Sequence, residues 1–141
     1  MIITGEKEEI NNIFNKIKNR FKISKSGLID YLLGIKVENK NNTYLISQKQ
    51  FIDNILKTFK INSKRIRRTP CVGDNIKSEN NKSFDRKIYK SAVGMLIYLS
   101  KCTRPDIAFS VNKAARNSEN PTVSDWHKII AILQYLKWTR K

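Results

Sequence analysis

The sequence is poor in the residues that build most catalytic and metal centres. It has one histidine, two cysteines without a C-x-x-C pair, and five scattered glycines that form no phosphate-binding loop. These spacings exclude a standard zinc site. Nucleotidyl transfer needs clustered carboxylates that hold two divalent metals, and the chain has neither an Asp-Asp pair nor an Asp-x-Asp. We therefore predict no catalytic residue and no metal ligand in this chain.

Long apolar runs are also missing from the sequence. No stretch approaches the roughly 20 apolar residues that span a bilayer. The first residues form too short an apolar segment for a secretory signal, and charged residues follow at once. The two isolated cysteines are typical of free thiols in a reducing compartment. We therefore predict an intracellular protein, in the cytoplasm or the nucleus, with no membrane partner.

Acidic residues are scarce relative to basic ones. Twelve Asp and Glu oppose 28 Lys and Arg, for a formal net charge of +16. An excess of this size predicts a polyanionic partner, above all nucleic acid. The alternatives are a solubility feature or an AT-rich coding bias toward lysine.

The positive charge is densest in the run 64–68. Contacts from such a run to phosphates are independent of base sequence and strongly salt-dependent. The competing interpretation is a solvated loop. The candidate phosphate contacts in this run are Lys64, Arg65, Arg67 and Arg68.

Residues 1–46 have the pattern of a helix followed by a β-hairpin. Apolar residues recur at i, i+3, i+4 and i+7 between Glu6 and about Arg20. Tyr31–Glu38 and Thr43–Ser47 are β-rich runs, and the Asn-rich spacer 39–42 predicts the turn between them. Gly34 falls inside the first run, where a glycine often marks a bulge or the close approach of another backbone or a ligand.

Residues 47–141 have the pattern of a helical bundle, which makes the predicted fold class α+β. A capping box at Ser47–Gln50 predicts a helix that ends near Phe59. A basic linker with little apolar content follows at about 62–83. Three more helices are predicted, at 85 to about 100, 103 to about 117, and from 122 onward.

Isolated polar residues of the bundle are assigned structural roles. Asp85, Asp106 and Asp125 stand at predicted helix starts and are expected to act there as caps. The cap of the 103–117 helix itself is assigned to Thr103, with Pro105 following early in the helix. His127 is expected to be a packing or surface residue.

Four short segments of the chain are informative because they occur together in a particular order. Tyr31–Ile35 is YLLGI, Leu45–Gln48 is LISQ, Thr103–Ile107 is TRPDI and Tyr135–Thr139 is YLKWT. In this order they resemble motifs of the reverse transcriptase in copia-type (Pseudoviridae) LTR retrotransposon Pol polyproteins. The first resembles the Phe-Leu-Gly-Ile motif of that family's primer-grip hairpin. The chain departs from the family at Trp138, where glycine is usual.

The resemblance implies that the chain corresponds to the C-terminal part of the reverse transcriptase domain. Residues 1–46 would be a remnant of the palm with a primer-grip-like hairpin, and residues 47–141 a helical region like the thumb or connection. Met1–Gly5 resembles the strand that leaves the family's Tyr-x-Asp-Asp turn, so the catalytic aspartates would precede Met1. The chain alone would then be inactive, with no cofactor of its own, and Mg²⁺ would serve only the complete polymerase.

The resemblance also implies partners and binding residues. The expected ligand is an RNA/DNA template–primer, and the other palm parts and the ribonuclease H part of the polyprotein are candidate protein partners. Leu33 and Gly34 would face the primer terminus, and Arg104 would be either a phosphate contact or a residue of a helix start. Two alternatives stay open: a small basic helical nucleic-acid-binding protein unrelated to polymerases, and a non-functional pseudogene product.

Overall fold

A computed structural model describes residues 3, 5–23, 27, 30–41, 43–62, 65–71 and 82–140. The described part contains five α-helices, a three-stranded antiparallel sheet and one short 3-10 helix, which confirms the α+β class. In chain order the elements are α1 (Lys7–Lys18), β1 (Tyr31–Leu32), β2 (Ile35–Lys40), β3 (Thr43–Ser47), α2 (Lys49–Thr58), α3 (Arg86–Cys102), the 3-10 helix (Pro105–Ile107), α4 (Ala108–Ala115) and α5 (Val123–Trp138).

Helix α1 forms where the apolar periodicity predicts it. Acidic residues lie in its first turn and basic residues in its last, in accord with the helix dipole. None of its residues is buried, and Ile13 on the apolar stripe is 43% exposed. Helix α1 is therefore amphipathic, but its apolar stripe is not buried in the core of the described structure.

The prediction of one continuous strand over 31–38 was wrong. Leu32 pairs with Ile35, so that Leu33 and Gly34 form a two-residue turn between β1 and β2. Both turn residues have positive φ, 49° and 78°, as a type I′ hairpin turn requires. Gly34 thus lies at a chain reversal and not at a bulge.

The second turn is tighter than the predicted spacer 39–42. Strand β2 continues through Asn39 and Lys40, which pair with residues of β3. Asn41 occupies the turn with a φ of 49°, a conformation that asparagine tolerates. Asn42 lies outside the described residues.

The predicted capping box at the start of α2 was also wrong. Ser47 is the last residue of β3 and pairs with Lys36, while Gln48 takes the N-cap position without a side-chain hydrogen bond to the helix. The Gln48 side chain is buried instead, and its Oε1 accepts a hydrogen bond of 2.7 Å from the Thr103 hydroxyl. Helix α2 therefore begins with an uncapped first turn.

Of the three aspartates predicted as helix caps, two take part in a cap and one does not. Asp85 caps α3, because its Oδ1 accepts from the Ile88 N–H at 2.9 Å, and Asp125 completes a capping box with Thr122 at the start of α5. Asp106 does not cap a helix but forms an ion pair with Arg104. Thr103 is the C-terminal cap residue of α3 and not the start of the next helix.

The core lies entirely within residues 52–136. The described residues of 3–46 add no buried side chain to it, so the bundle carries the packing and the sheet lies outside it. Tyr89 is fully buried in this core and its hydroxyl donates to the Ala114 carbonyl at 2.9 Å; burial and the nearby Asp125 raise its pKa to about 12. The hydrophobic core cluster consists of Ile52, Ile55, Leu56, Ile61, Tyr89, Ala92, Val93, Leu96, Leu99, Ile107, Val111, Ala114, Ile129, Ile132, Leu133 and Leu136. Ala131 is also buried but does not belong to this cluster.

The end of the predicted linker joins the loop before α5. The Phe84 N–H donates to the Pro121 carbonyl at 2.8 Å, and the Val123 N–H donates to the Lys82 carbonyl at 3.0 Å. The Phe84 ring stacks on Trp126 with centroids 4.6 Å apart. Residues 63–64 and 72–81 of the linker lie outside the described part of the chain.

Asp125 makes the stability of the bundle depend on pH. Burial disfavours its charge, yet hydrogen bonds from Thr122, Lys128 and Asn117 outweigh burial and lower its pKa below the ordinary value. A lowered pKa in the folded state contributes stability above pH 4 that is lost as the pH falls through the folded pKa. We expect Asp125→Asn to cost about 1–3 kcal/mol at pH 7 and less at pH 3, where protonation of Asp125 has begun to remove the contribution of its charge. Urea unfolding of both proteins at the two pH values measures this, and equal losses at both would contradict it.

Candidate nucleic-acid interface

The turn between β1 and β2 is fixed to two helices of the bundle. The Tyr98 hydroxyl on α3 donates to the Leu33 carbonyl. A Cβ placed on Gly34 would lie 4.0 Å from Cδ2 of Phe51 on α2. The Phe51 and Tyr98 rings pack edge to face, with centroids 5.4 Å apart and an interplanar angle of 83°. The turn therefore rests on a small aromatic base formed by α2 and α3.

Leu33 is poorly suited to its position as a purely structural residue. Its side chain is 79% exposed, and its backbone has a φ of 49°, which bulky residues rarely adopt. A type I′ turn favours Asn or Gly here. Leu33 therefore presents an apolar side chain to solvent from the apex of the turn.

One face of α3 is exposed beside this turn. Five residues with spacings of four, three, four and three fall on one stripe, about 21 Å long at 1.5 Å per residue. All are exposed except the half-buried Tyr98. A Cβ placed on Gly94 would meet no atom within 4 Å, so the middle of the stripe is low and open. We call this stripe the α3 face: Lys87, Ser91, Gly94, Tyr98 and Lys101.

The described residues of the basic run 64–68 differ in their exposure to solvent. Arg65 and Arg68 are exposed. Arg67 is half-buried, and its Nε donates to Oε1 of the buried Gln134 on α5 at 3.0 Å. Lys64 lies outside the described residues. Arg67 thus attaches the run to the bundle through Gln134 on α5.

Arg104 lies in a cluster that joins two of the sequence motifs. Its guanidinium forms a two-pronged ion pair with Asp106, at 2.9 and 2.7 Å, and donates to the Thr139 hydroxyl at 2.6 Å and the Thr139 carbonyl at 3.3 Å. It also lies over the Tyr135 ring, 5.5 Å from the centroid, and the Tyr135 hydroxyl donates to Asp106 at 2.7 Å. We call Arg104, Asp106, Tyr135 and Thr139 the Arg104 cluster.

The electrostatics of this cluster favour a structural role for Arg104. Its side chain is only 15% exposed, and four hydrogen bonds occupy most of its donors. The hydrogen bonds from Arg104 lower the pKa of Asp106 below its ordinary value. The cluster ties the 3-10 helix to the end of α5 and leaves little of the guanidinium for a phosphate.

The donors of a polymerase metal centre are not assembled in the described residues. Among them no three His, Cys, Asp or Glu side chains are grouped as metal ligands. A two-metal site needs such a carboxylate cluster, so these residues do not fit bound Mg²⁺. The single histidine, His127, is an exposed surface residue.

No described helix is both long enough and apolar enough to cross a membrane.

Sequence reasoning named Leu33 and Gly34 as candidate contacts, but it predicted neither the turn that they form nor the surface that supports it. Tyr98, Phe51 and Gly94 were not predicted as parts of a site, because each belongs to an amphipathic helix whose buried face dominates the pattern. The usable signal was the polar stripe of α3, in which two lysines flank serine and glycine at helical spacing.

Comparison with known proteins identifies the relatives of the chain. Over 99% of its length it is similar to the retrovirus-related Pol polyprotein from transposon TNT 1-94 of Nicotiana tabacum, with 31% identity over 150 residues, 11% of that polyprotein. The Pol polyprotein from transposon RE1 of Arabidopsis thaliana is 29% identical over 143 residues, which cover 99% of this chain and 10% of that polyprotein. An uncharacterized mitochondrial protein of Arabidopsis thaliana is 27% identical over 141 residues, 99% of this chain and 58% of its own length.

No protein-family model matches the chain, and no solved structure matches it significantly. The chain spans about a tenth of the length of the transposon polyproteins that it matches. Its homologues include retrovirus-related Pol polyproteins of plant transposons, as the ordered sequence motifs predicted.

Proposed function

We propose that the chain is the part of a copia-type reverse transcriptase that follows the catalytic aspartates and holds the template–primer duplex. Residues 1–46 supply a primer-grip-like hairpin, and residues 47–141 supply a thumb-like bundle. The observation that carries this proposal is the exposed, strained Leu33 at the apex of a turn that Tyr98 fixes to the α3 face.

The arrangement suits contact with a nucleic-acid backbone. The α3 face offers a lysine at each end and a low centre at Ser91 and Gly94, so a duplex can approach the helix closely. Lysine contacts to phosphate position a duplex without reading its sequence. The turn adds an apolar side chain at the edge of the same surface. The net charge of +16 supports a polyanionic ligand in general.

A substitution at Leu33 tests the proposal. Leu33→Asp places a negative charge at the apex and is tolerated at positive φ, so the fold is retained while the charge repels phosphate. We expect the affinity of the full chain for an RNA–DNA hybrid duplex to fall roughly tenfold. Leu33→Asn is the matched control, because it has the same shape without the charge. Equal affinities of the two variants, measured by fluorescence anisotropy, would sink the primer-grip assignment.

The alternative is a small basic helical nucleic-acid-binding protein unrelated to polymerases. The confinement of the core to residues 52–136 favours it, since the bundle packs without the hairpin. Under this alternative neither Leu33 variant changes duplex binding, whereas Arg68→Ala does. Under both candidates the isolated chain extends no primer, and heat-sensitive extension with divalent metal would refute both.

A further inference from the structure

An open cleft lies between one face of the sheet and the first turns of α2. Its volume is about 430 Å³, within the range of small-molecule sites in proteins. Most such sites are apolar, whereas the described lining of this cleft has one aromatic ring and otherwise only polar or charged side chains. An apolar ligand is therefore a poor match, and the cleft suits a ligand that is both planar and polar.

The sheet supplies the aromatic wall of the cleft. Tyr31 pairs with Lys36, and Lys36 pairs with Ser47, so that these residues form one row across β1, β2 and β3. Side chains of directly paired residues lie on the same face of a sheet. Tyr31 stands at the end of this row, on an edge strand, and is 52% exposed. Its ring is therefore accessible to a ligand in the cleft.

The lining brings hydrogen-bond donors and acceptors together. The Ser47 hydroxyl and the Gln50 amide can each donate and accept, and neither side chain makes a hydrogen bond to another described residue. The carboxylates of Glu38 and Asp53 are acceptors, and each has lone pairs beyond those that its ion pair uses. A ligand whose edge carries both donors and acceptors can therefore be bonded along its whole edge.

The charges of the lining cancel. Lys36 and Lys49 oppose Glu38 and Asp53. An isolated phosphate would meet two carboxylates here as well as two ammonium groups, so the lining does not select an anion. A nucleobase is uncharged and planar, carries donors and acceptors on its edge, and stacks on aromatic rings. It therefore matches the ring, the polar groups and the zero charge of this cleft at once.

We propose that this cleft binds one unpaired nucleotide, with its base stacked on the Tyr31 ring and its polar edge bonded by Ser47 and Gln50. The source of the nucleotide rests on the proposed function. Tyr31 precedes the turn residue Leu33 by two positions, so their Cα atoms are at most about 7 Å apart. A duplex in contact with the turn therefore ends beside the cleft, and the nucleotide is an unpaired one at the end of a strand. A free mononucleotide has the same chemistry and is the other source to be distinguished.

A fluorescent base in the unpaired position tests the site. 2-Aminopurine is placed as a single unpaired nucleotide at the 3′ end or the 5′ end of the DNA strand in an RNA–DNA hybrid duplex, and stacking quenches its fluorescence. With the full chain we expect saturable quenching at one of the two ends. The affinity for that duplex should be roughly tenfold higher than for the blunt duplex. Tyr31→Ala should abolish both effects and leave the affinity for the blunt duplex unchanged.

Two further variants control for the effect of Tyr31→Ala. Tyr31→Phe is the matched control, because it retains the ring, and it should keep both the quenching and the gain in affinity. Gln50→Ala changes an exposed residue of α2 and leaves the sheet untouched. It should weaken binding of the duplex with the unpaired nucleotide about threefold, and it tests the site if Tyr31→Ala does not fold.

Absence of quenching at both ends, or quenching that Tyr31→Ala leaves unchanged, overturns the site. Adenosine monophosphate, titrated against the full chain labelled with ¹⁵N and followed by nuclear magnetic resonance, distinguishes the two sources. If it shifts the Gln50 side-chain amide saturably while the unpaired nucleotide adds no affinity to the duplex, the assignment to a strand end is overturned. If the quenching is absent while Leu33→Asp still weakens binding of the blunt duplex, the proposed function stands without this site.

Discussion

Replacing Arg104 with alanine is expected to lower the free energy of unfolding by about 2–3 kcal/mol. The substitution removes four hydrogen bonds and leaves Asp106 with only the Tyr135 hydroxyl as a described side-chain partner. It also removes both hydrogen bonds from Arg104 to Thr139, the residue that follows α5. Urea unfolding of the full chain at pH 7 measures the loss. Lysine should restore little, because it lacks the planar fork that matches the carboxylate.

Arg68→Ala is the matched control for this prediction. Arg68 is exposed, so its removal should change stability by no more than about 0.5 kcal/mol. If Arg68 contacts phosphate, Arg68→Ala weakens binding of the hybrid duplex. Arg104→Ala should weaken this binding only in proportion to the fraction of the protein that it unfolds. An Arg104→Ala protein of unchanged stability but reduced binding would show that Arg104 is a phosphate contact after all.

The helices of the bundle were predictable because their patterns are local. Apolar residues at helical spacing indicated α2, α3 and α5, and the structure places those residues in the core or against it, except for Ile88 on α3, which is exposed. Asp85 and Asp125 cap helices as predicted, since each cap needs only residues within three positions. Where a short stretch of chain satisfies its own hydrogen bonds, the sequence reveals the structure.

The turn at Leu33 was not predictable for a physical reason. The run YLLGIKVE has the apolar and β-branched content of a strand, and leucine is not a turn residue. The chain nevertheless reverses there, with a contact from Tyr98, 65 positions later, at the turn. A local pattern carries no information about a partner so distant in the chain.

The same reason explains Arg104 and Ser47. Thr103–Asp106 has the composition of a helix start, yet Arg104 and Asp106 are engaged by Tyr135 and Thr139, about 30 positions away. Ser47 has the composition of a cap but is drawn into the sheet by its pairing with Lys36. Long-range contacts override local propensity at both places.

The double variant Lys87→Gln/Lys101→Gln is expected to have the largest effect on duplex binding. Each phosphate contact contributes roughly 0.9 to the slope of log K against log salt, so the slope should fall by nearly two. The affinity at about 0.1 M salt should fall by on the order of tenfold. Both lysines are exposed, so the fold is unaffected. Fluorescence anisotropy with a hybrid duplex at several salt concentrations measures both quantities.

Two further variants distinguish binding at the α3 face from general electrostatic attraction of the duplex to a basic protein. Lys16→Gln/Lys18→Gln on α1 lowers the net charge by the same two units, and it should change the slope much less if the α3 face is the binding surface. Gly94→Leu changes no charge, stabilises α3 by up to about 1 kcal/mol, and blocks the low centre of that face. A gain in stability together with a loss of duplex affinity cannot arise from unfolding or from net charge. If the two lysine pairs have equal effects and Gly94→Leu has none, the duplex is held by diffuse positive charge, and the α3 face has no special part in binding.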